Sequence, residues 1–464
     1  MNKEDPLQAL QSLTFLPSTH ILTDSSSRQH YGKDWTTYFD INASAVLFPR
    51  NTDDVVQIVK WARQHKIALI PSGGRTGLSG AACALKGEVI VSFEKMNQIR
   101  DFSPIDHTVV VEAGVITESL QKFAESKGLF YPVDFAARGS SQMGGNIATN
   151  AGGIKVVRYG MTRQWVGGLK VVTGAGDVLD LNNGLIKNAT GYDLRQLFIG
   201  SEGTLGFITE ATIQLAPTPV SSRVLLLACD ELQKIMNVFQ AFKQKTTLVA
   251  FEFFSQKALH YVQKSTQLPD PLPSSSSFYI VMEVECAHES EEEKILSVFE
   301  SCLEEGWITD GAMAQSGKQA QDFWKYREDI SESISPFSPY KNDVSVKISE
   351  VPAFIQDVQS IFEKNYPHWE VVWFGHIGDG NLHINILRPP DINKEDFVRE
   401  CQKVDQYVFQ VVSQHRGSIS AEHGVGLTKK PFLHYTRSTA EVEIMKGIKK
   451  VFDPDQILNP GKVF

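Results

Sequence analysis

Two short stretches near the C-terminal end of this 464-residue chain gather the residue types that bind metals and move protons. In Phe374-Gly375-His376-Ile377-Gly378-Asp379-Gly380-Asn381-Leu382-His383-Ile384-Asn385, segments 371–377 and 382–387 read as strands and 378–381 as a four-residue turn. Such a turn pairs Ile377 with Leu382 and His376 with His383, so the two imidazoles share a sheet face with Cβ atoms about 5 Å apart. Asn385 falls on the same face, two residues along. On its own the hairpin suits a metal chelate and a pair of structural histidines equally well. Ser420-Ala421-Glu422-His423-Gly424-Val425-Gly426 tips the balance, because it adds the Glu422 carboxylate and His423 in a glycine-bounded loop. Two histidines and a carboxylate form a catalytic zinc set with an open coordination position, and Mn²⁺ or Fe²⁺ accepts the same donors.

Three glycine-rich runs lie upstream: PSGGRTGLSGA (71–81), MGGNIATNAGG (143–153) and GSEGTLG (200–206). The first follows the apolar run 67–70, which reads as a buried strand, so its glycines sit where a strand ends. Dense glycines let the backbone take positive φ and approach a ligand closely, and successive N–H groups in such a turn form an anion nest suited to a pyrophosphate. No G-x-x-x-x-G-K-[ST] occurs, which excludes a P-loop ATPase. Thr173-Gly174-Ala175-Gly176 begins like a dinucleotide fingerprint, but the strand-like 178–181 follows it, so a hairpin turn accounts for it.

The elements that must position these residues alternate along the chain. Asp5 caps a short helix that starts at Pro6 and runs to about Leu13. A strand at 45–48 leads to a helix capped by Thr52-Asp53-Asp54, with Val55, Val56, Val59, Trp61 and Ala62 at helical spacing. Strands follow at 67–70, 88–93, 108–112, 169–173 and 178–181, with a helix at 117–127 stopped by Gly128. Prolines at 217 and 219 close a first domain (1–219). A second (220–423) alternates strands at 224–228, 248–253 and 278–285 with helices at 231–242 and 291–305, a ferredoxin-like α+β pattern. A C-terminal segment (424–464) carries a helix with Val442, Met445, Ile448 and Phe452 on one face, which returns to the first domain and delivers Asn459. The fold class expected is therefore α+β.

With 42% hydrophobic and 21% charged residues the chain can bury a large core, and its net charge of −9, without a basic run, argues against a nucleic-acid partner. Five dispersed cysteines suit a reducing compartment and build neither a zinc knuckle nor an Fe–S site. No apolar stretch approaches bilayer length, and the first residues lead into no signal sequence. The expected location is the cytoplasm, with peripheral attachment to the inner face of a membrane compatible with it, and a homodimer is one assembly the sequence allows.

The order of the three glycine runs, closed by Asn459-Pro460-Gly461-Lys462, resembles the flavin domain of the vanillyl-alcohol oxidase / p-cresol methylhydroxylase (PCMH) family, which binds FAD without a Rossmann motif. GHIGDGNLH and SAEHGVG narrow the resemblance to the FAD-linked D-2-hydroxyacid dehydrogenases, over about residues 45–464. The resemblance implies a PCMH-type FAD domain with a ferredoxin-like cap. It implies flavin contacts from Pro71, Gly73, Gly74, Arg75, Thr76, Gly77, Leu78 and Ser79, from Pro132 and Ser140, and from Met143, Gly144, Gly145, Asn146, Thr149, Asn150, Gly152, Gly153 and Gly160. Glu202, Gly203, Ile208 and Asn459 complete that set. It further implies metal ligands at His376, His383 and Glu422, with His423 as general base and a substrate contact together with Asn385. The flavin is expected to be non-covalent, because Arg75 stands where linked members carry a histidine.

One feature is similar to the hydroxyglutarate branch of the family. The 323–331 stretch reads as one helix, so Arg327 and Ser331, four apart, face the same way, and Lys341 follows closely. In that branch an arginine, a hydroxyl residue and a lysine hold the second carboxylate of the substrate. Ser331 replaces the threonine expected there and keeps the hydroxyl. The expected reaction is hydride transfer from a D-2-hydroxyacid to FAD, giving the 2-oxo acid, with a quinone, an electron-transfer flavoprotein or a cytochrome as the final acceptor. D-Lactate and glycolate are the competing substrates. A flavin relay subunit without turnover is the competing class, and the metal-ligand set argues against it.

Overall fold

The apolar run before the first glycine loop becomes the edge strand Leu69–Ser72 of a four-stranded sheet in the computed structural model, which describes residues 6–36 and 39–464. Its order is Ile21–Leu22, Ala45–Leu47, Val89–Ser92, Leu69–Ser72, with the last three strands parallel. The helix Thr52–His65 crosses between two of them and buries Val55, Ile58, Val59, Trp61 and Ala62. The valines and the isoleucine each contribute about 1.5–3 kcal/mol on full burial. Its N-cap is Asn51, whose side chain accepts from Asp54 N, one residue earlier than the Thr52-Asp53-Asp54 cap expected from sequence. An amide oxygen one residue outside the helix reaches the third helical N–H, which the side chains inside the first turn cannot. Asp5 lies outside the described residues; the helix Pro6–Ala9 continues as a 3₁₀ turn, Leu10–Ser12.

The chain forms two units. The first contains the residues up to Gly152, then Met161–Thr218 and Glu422–Phe464; the second contains Gly153–Gly160 and Pro219–Ala421. In the first unit a five-stranded antiparallel sheet runs in the order Ile99–Ser103, Thr108–Glu112, Gly206–Gln214, Val166–Thr173, Val178–Leu181. The last pair is the hairpin expected around Gly176, whose φ of +89° is in the region that favours glycine. The C-terminal helix Thr439–Phe452 leads back to the four-stranded sheet, where Leu458 bridges Leu69 in parallel and Asn459 N donates to Leu69 O at 2.8 Å.

The second unit is built on a seven-stranded antiparallel sheet. Its first four positions are Asp310–Met313, Ser222–Cys229, Phe278–Glu285 and Leu248–Ser255. In chain order these are the fourth, first, third and second strands, the ferredoxin-like arrangement, with the helices Leu232–Lys245 and Glu289–Glu304 as crossovers. Glu370–Gly375, Asn381–Leu387 and Tyr340–Ser345 extend the sheet from its Leu248–Ser255 edge. The short helix Val156–Tyr159 belongs to this unit and packs on Leu248–Ser255, with Arg158 ion-paired to Glu285 at 2.9 Å. No helix among the described residues is long and apolar enough to cross a membrane.

Candidate active site

A groove with about 900 Å³ of empty space, open solvent included, runs between the glycine loops of the first unit. The first run contributes Pro71, Gly73, Gly74, Arg75, Thr76, Gly77 and Ser79, the second Gly144, Gly145, Asn146 and Thr149, and the third Glu202 and Gly203, with Ile208 after it. Asp34, Phe93, Ala113, Gln142 and Phe207 also line it, and sequence reasoning missed them: Gln142 and Phe207 stand just outside the second and third glycine runs, and the other three lie away from any run. The second run is a helix, Met143–Thr149, and two of its glycines do different work. A Cβ on Gly144 would lie 2.7 Å from that of Ala113, so the helix must be bare there to sit on the sheet. A Cβ on Gly145 would meet nothing within 4 Å, so its bareness leaves room on the groove side.

Leu78, Pro132, Ser140, Met143, Asn150, Gly152, Gly153, Gly160 and Asn459 do not line the groove. Met143 is buried in the core beneath it, and Asn150, left-handed at φ +53°, accepts Arg163 N with its side chain. Gly153 and Gly160 bound the segment that belongs to the second unit. Asn459 staples two runs together: Nδ2 donates to Ala81 O at 3.0 Å and to Glu202 O at 2.7 Å. Lys449 holds the returning chain, donating to Thr204 O, to Leu458 O and to Asp453, each at 2.8 Å.

The loop carrying His423 is anchored in the same unit. Glu202, fully buried, accepts Val425 N at 2.7 Å and Gly426 N at 2.8 Å, one on each carboxylate oxygen. Burial pushes its pKa up to about 7, against the two N–H donors that lower it. Leu427 N and Thr428 N donate to Ser79 O. Gly426, at φ +48°, is required because a Cβ there would overlap the Ser79 carbonyl. Beyond these anchors Glu422 and His423 are half-buried, with His423 Nε2 3.8 Å from Glu422 Oε1.

In the second unit the histidine hairpin has a different register from the one the spacing suggests. Phe374, not His376, pairs with His383, and Val372 pairs with Asn385. The strand stops at Gly375, and residues 376–380 form a five-residue loop in which His376 O accepts from Asp379 N and Asn381 N. The slip is by two residues, which preserves the face, so both rings still meet, edge to face at 5.3 Å between centroids. His376 Nδ1 lies 2.8 Å from Glu252 Oε1. On the neighbouring strand Lys341 pairs with Asn385 and Asp343 with His383, whose Nδ1 is 3.7 Å from Asp343 Oδ1. Asp343, 2% exposed, also accepts from Asn381 Nδ2 and Ala421 N. Buried Asn385 donates to Val372 O at 3.4 Å.

The helix expected over 323–331 is interrupted: Gly317–Glu328 ends at Asp329, and Ile330–Ser333 resumes as a separate turn. The interruption separates Arg327 and Ser331 into different helical segments. Arg327 is buried. It is 6% exposed, its guanidinium lies 4.7 Å over the Phe374 ring, and Nη2 is 2.8 Å from Glu252 Oε2, while its buried Nε has no hydrogen-bond partner. Lys341 is exposed by residue, yet desolvation of its ammonium lowers its pKa. Glu252 and Asp343 were missed in the sequence. The available signal was a lone carboxylate in an apolar strand, Leu248-Val249-Ala250-Phe251-Glu252-Phe253-Phe254.

Residues 43–182 match the FAD binding domain family, and residues 218–463 match the C-terminal domain of FAD linked oxidases. The chain belongs to the FAD-linked oxidase family. Among curated proteins it is 55% identical to a D-2-hydroxyglutarate dehydrogenase of Stutzerimonas stutzeri (strain A1501), over 99% of both chains. It is 48% identical to the enzyme of that name from Xanthomonas citri pv. viticola, over 97% of this chain and 95% of the relative. Among solved structures, p-cresol methylhydroxylase with substrate bound superposes with a TM-score of 0.77 at 15% identity, covering 100% of this chain and 97% of the other, which establishes the PCMH-type fold. This FAD-linked oxidase is a flavin-dependent oxidoreductase. The groove fits the cofactor: it is walled by backbone at Gly73 and Gly145, and the buried Gln142 Oε1 on its wall has no partner among the described residues. Asn459 Oδ1, equally buried, has none either.

Proposed function

We propose that this enzyme oxidises D-2-hydroxyglutarate to 2-oxoglutarate, with FAD held non-covalently in the glycine groove and a divalent metal held by His376, His383 and Glu422. The observation that carries the substrate assignment is Arg327: a buried guanidinium with an unsatisfied N–H, lying over Phe374 and ion-paired to the Glu252 that also meets His376. A carboxylate leaving water needs such a charged fork, and a substrate with one carboxylate has nothing to offer it. The donor set of two imidazoles and a carboxylate suits Zn²⁺, and also Mn²⁺ or Fe²⁺.

FAD held in the glycine groove would supply the hydride acceptor, and a metal held by His376, His383 and Glu422 would supply the charge that acidifies the C2 hydroxyl. The protein's own residues do the rest. His423 takes the hydroxyl proton at an imidazole nitrogen, on a loop held by Glu202 and Ser79. Arg327, with Ser331 and Lys341, binds the distal carboxylate and so orients the single C2–H of the substrate. Asn385 orients the proximal end from the neighbouring strand position to Lys341. Anaerobic addition of D-2-hydroxyglutarate to the yellow protein should bleach the flavin absorbance within the mixing time of a manual assay, whereas D-lactate and glycolate should bleach it far more slowly. Flavin that stays oxidised with every 2-hydroxyacid would leave the relay-subunit reading standing instead.

A further inference from the structure

Glu252 is the one carboxylate in its strand, is 1% exposed, and has phenylalanines on both sides in sequence. A charge buried this deeply is tolerated only where it is paired. Its two oxygens meet different groups: Oε1 is hydrogen-bonded to His376 Nδ1 and Oε2 is ion-paired to Arg327 Nη2, both at 2.8 Å, the ion pair without hydrogen-bond geometry. Arg327 in turn lies over Phe374, and Phe374 is the register partner of His383.

We propose that Glu252 is a positioning residue that mounts the metal-ligand histidine and the carboxylate-binding arginine on one shared carboxylate. The inference rests on the metal assignment made above. An ionised carboxylate can only accept, so Oε1 keeps the His376 proton on Nδ1 and leaves the lone pair on Nε2 for a metal. Oε2 holds the guanidinium by one nitrogen and leaves its Nε directed elsewhere. The spacing between the two ends of a bound dicarboxylate is therefore fixed through one side chain and not through two independent ones. A glutamine of the same shape cannot replace it, because its amide has one acceptor oxygen and presents an NH₂ to a partner that also donates.

The test uses the FAD-loaded, metal-free protein and Co²⁺ as the probe, read by its visible absorption. Glu252→Gln should bind Co²⁺ about 10–100-fold more weakly than the wild type. Arg327→Met, which removes the other half of the same buried contact, should leave Co²⁺ affinity unchanged. A merely structural role for the contact would make both variants lose affinity together, and that result would overturn the proposal. So would a Glu252→Gln variant that binds Co²⁺ as the wild type does. A measurement on the wild type needs no variant: ¹⁵N-histidine spectra of the metal-free protein should show His376 as the Nδ1–H tautomer, and an Nε2–H tautomer refutes the inference. Wild-type protein that takes up no Co²⁺ at all refutes the metal assignment itself, so the two failures are distinguishable.

Discussion

Replacing Arg327 by methionine keeps most of the side-chain volume over Phe374 and removes the cation. Two consequences follow from its surroundings. Glu252 keeps only His376, and breaking a buried ion pair from one side costs about 3–5 kcal/mol of stability. Separately, the distal carboxylate of D-2-hydroxyglutarate loses a charge-assisted contact worth about 1.5–3 kcal/mol, or roughly 10–100-fold in kcat/KM. Only the second effect depends on the substrate. The assay is kcat/KM for D-2-hydroxyglutarate and for D-lactate, in wild type and variant, with an artificial electron acceptor and at a temperature where both proteins retain their flavin. The wild type should prefer the dicarboxylate, and Arg327→Met should lose most of that preference while changing little on D-lactate. Lys341→Met should act in the same direction, since its desolvated ammonium gains from a carboxylate partner. An equal loss on both substrates would mean that Arg327 serves only to hold Glu252, and a wild type that prefers D-lactate would remove the dicarboxylate assignment.

Exhaustive chelation should abolish turnover and leave FAD bound, because the proposed ligands are not groove residues; elemental analysis, flavin absorbance and steady-state rate on the same sample check it. His423→Asn should retain flavin and metal but reduce FAD about 10²–10⁴-fold more slowly in stopped flow; near-normal reduction would remove His423 from proton transfer. His415 gives a pH prediction. Burial opposes its charge, but the hydrogen bonds it donates to Asp357 and Glu350 outweigh burial and raise its pKa above 6.5. A histidine raised in the folded state adds stability in full below the unfolded value of 6.5 and loses it as pH rises through the folded value. The melting temperature of wild type should therefore exceed that of His415→Asn at pH 5.5 and converge on it at alkaline pH.

The elements that carry this site were legible where the signal is local. The 278–285 and 178–181 strands, the Gly176 hairpin and the ferredoxin-like alternation follow from period-two apolar patterning and turn residues. So do the three glycine runs, since a backbone that must come close to a ligand or to another chain segment leaves no choice of residue, as at Gly74 and Gly144. Register was not legible: pairing His376 or Phe374 with His383 puts the same side chains on the same face, and a pattern of period two cannot separate an even slip. The break at Asp329 was hidden because its φ and ψ stay in the helical region. What a buried charge will meet is decided across the fold. Glu252, Arg327 and His376 lie 124 residues apart at the extremes of their separation, and only the packing of a strand, a helix and a loop gives each a partner. Sequence by itself determined which local elements form and which residue types can do the chemistry. Tertiary structure alone decided which of those residues meet, because a charge or an imidazole acquires its role from neighbours that no local pattern encodes.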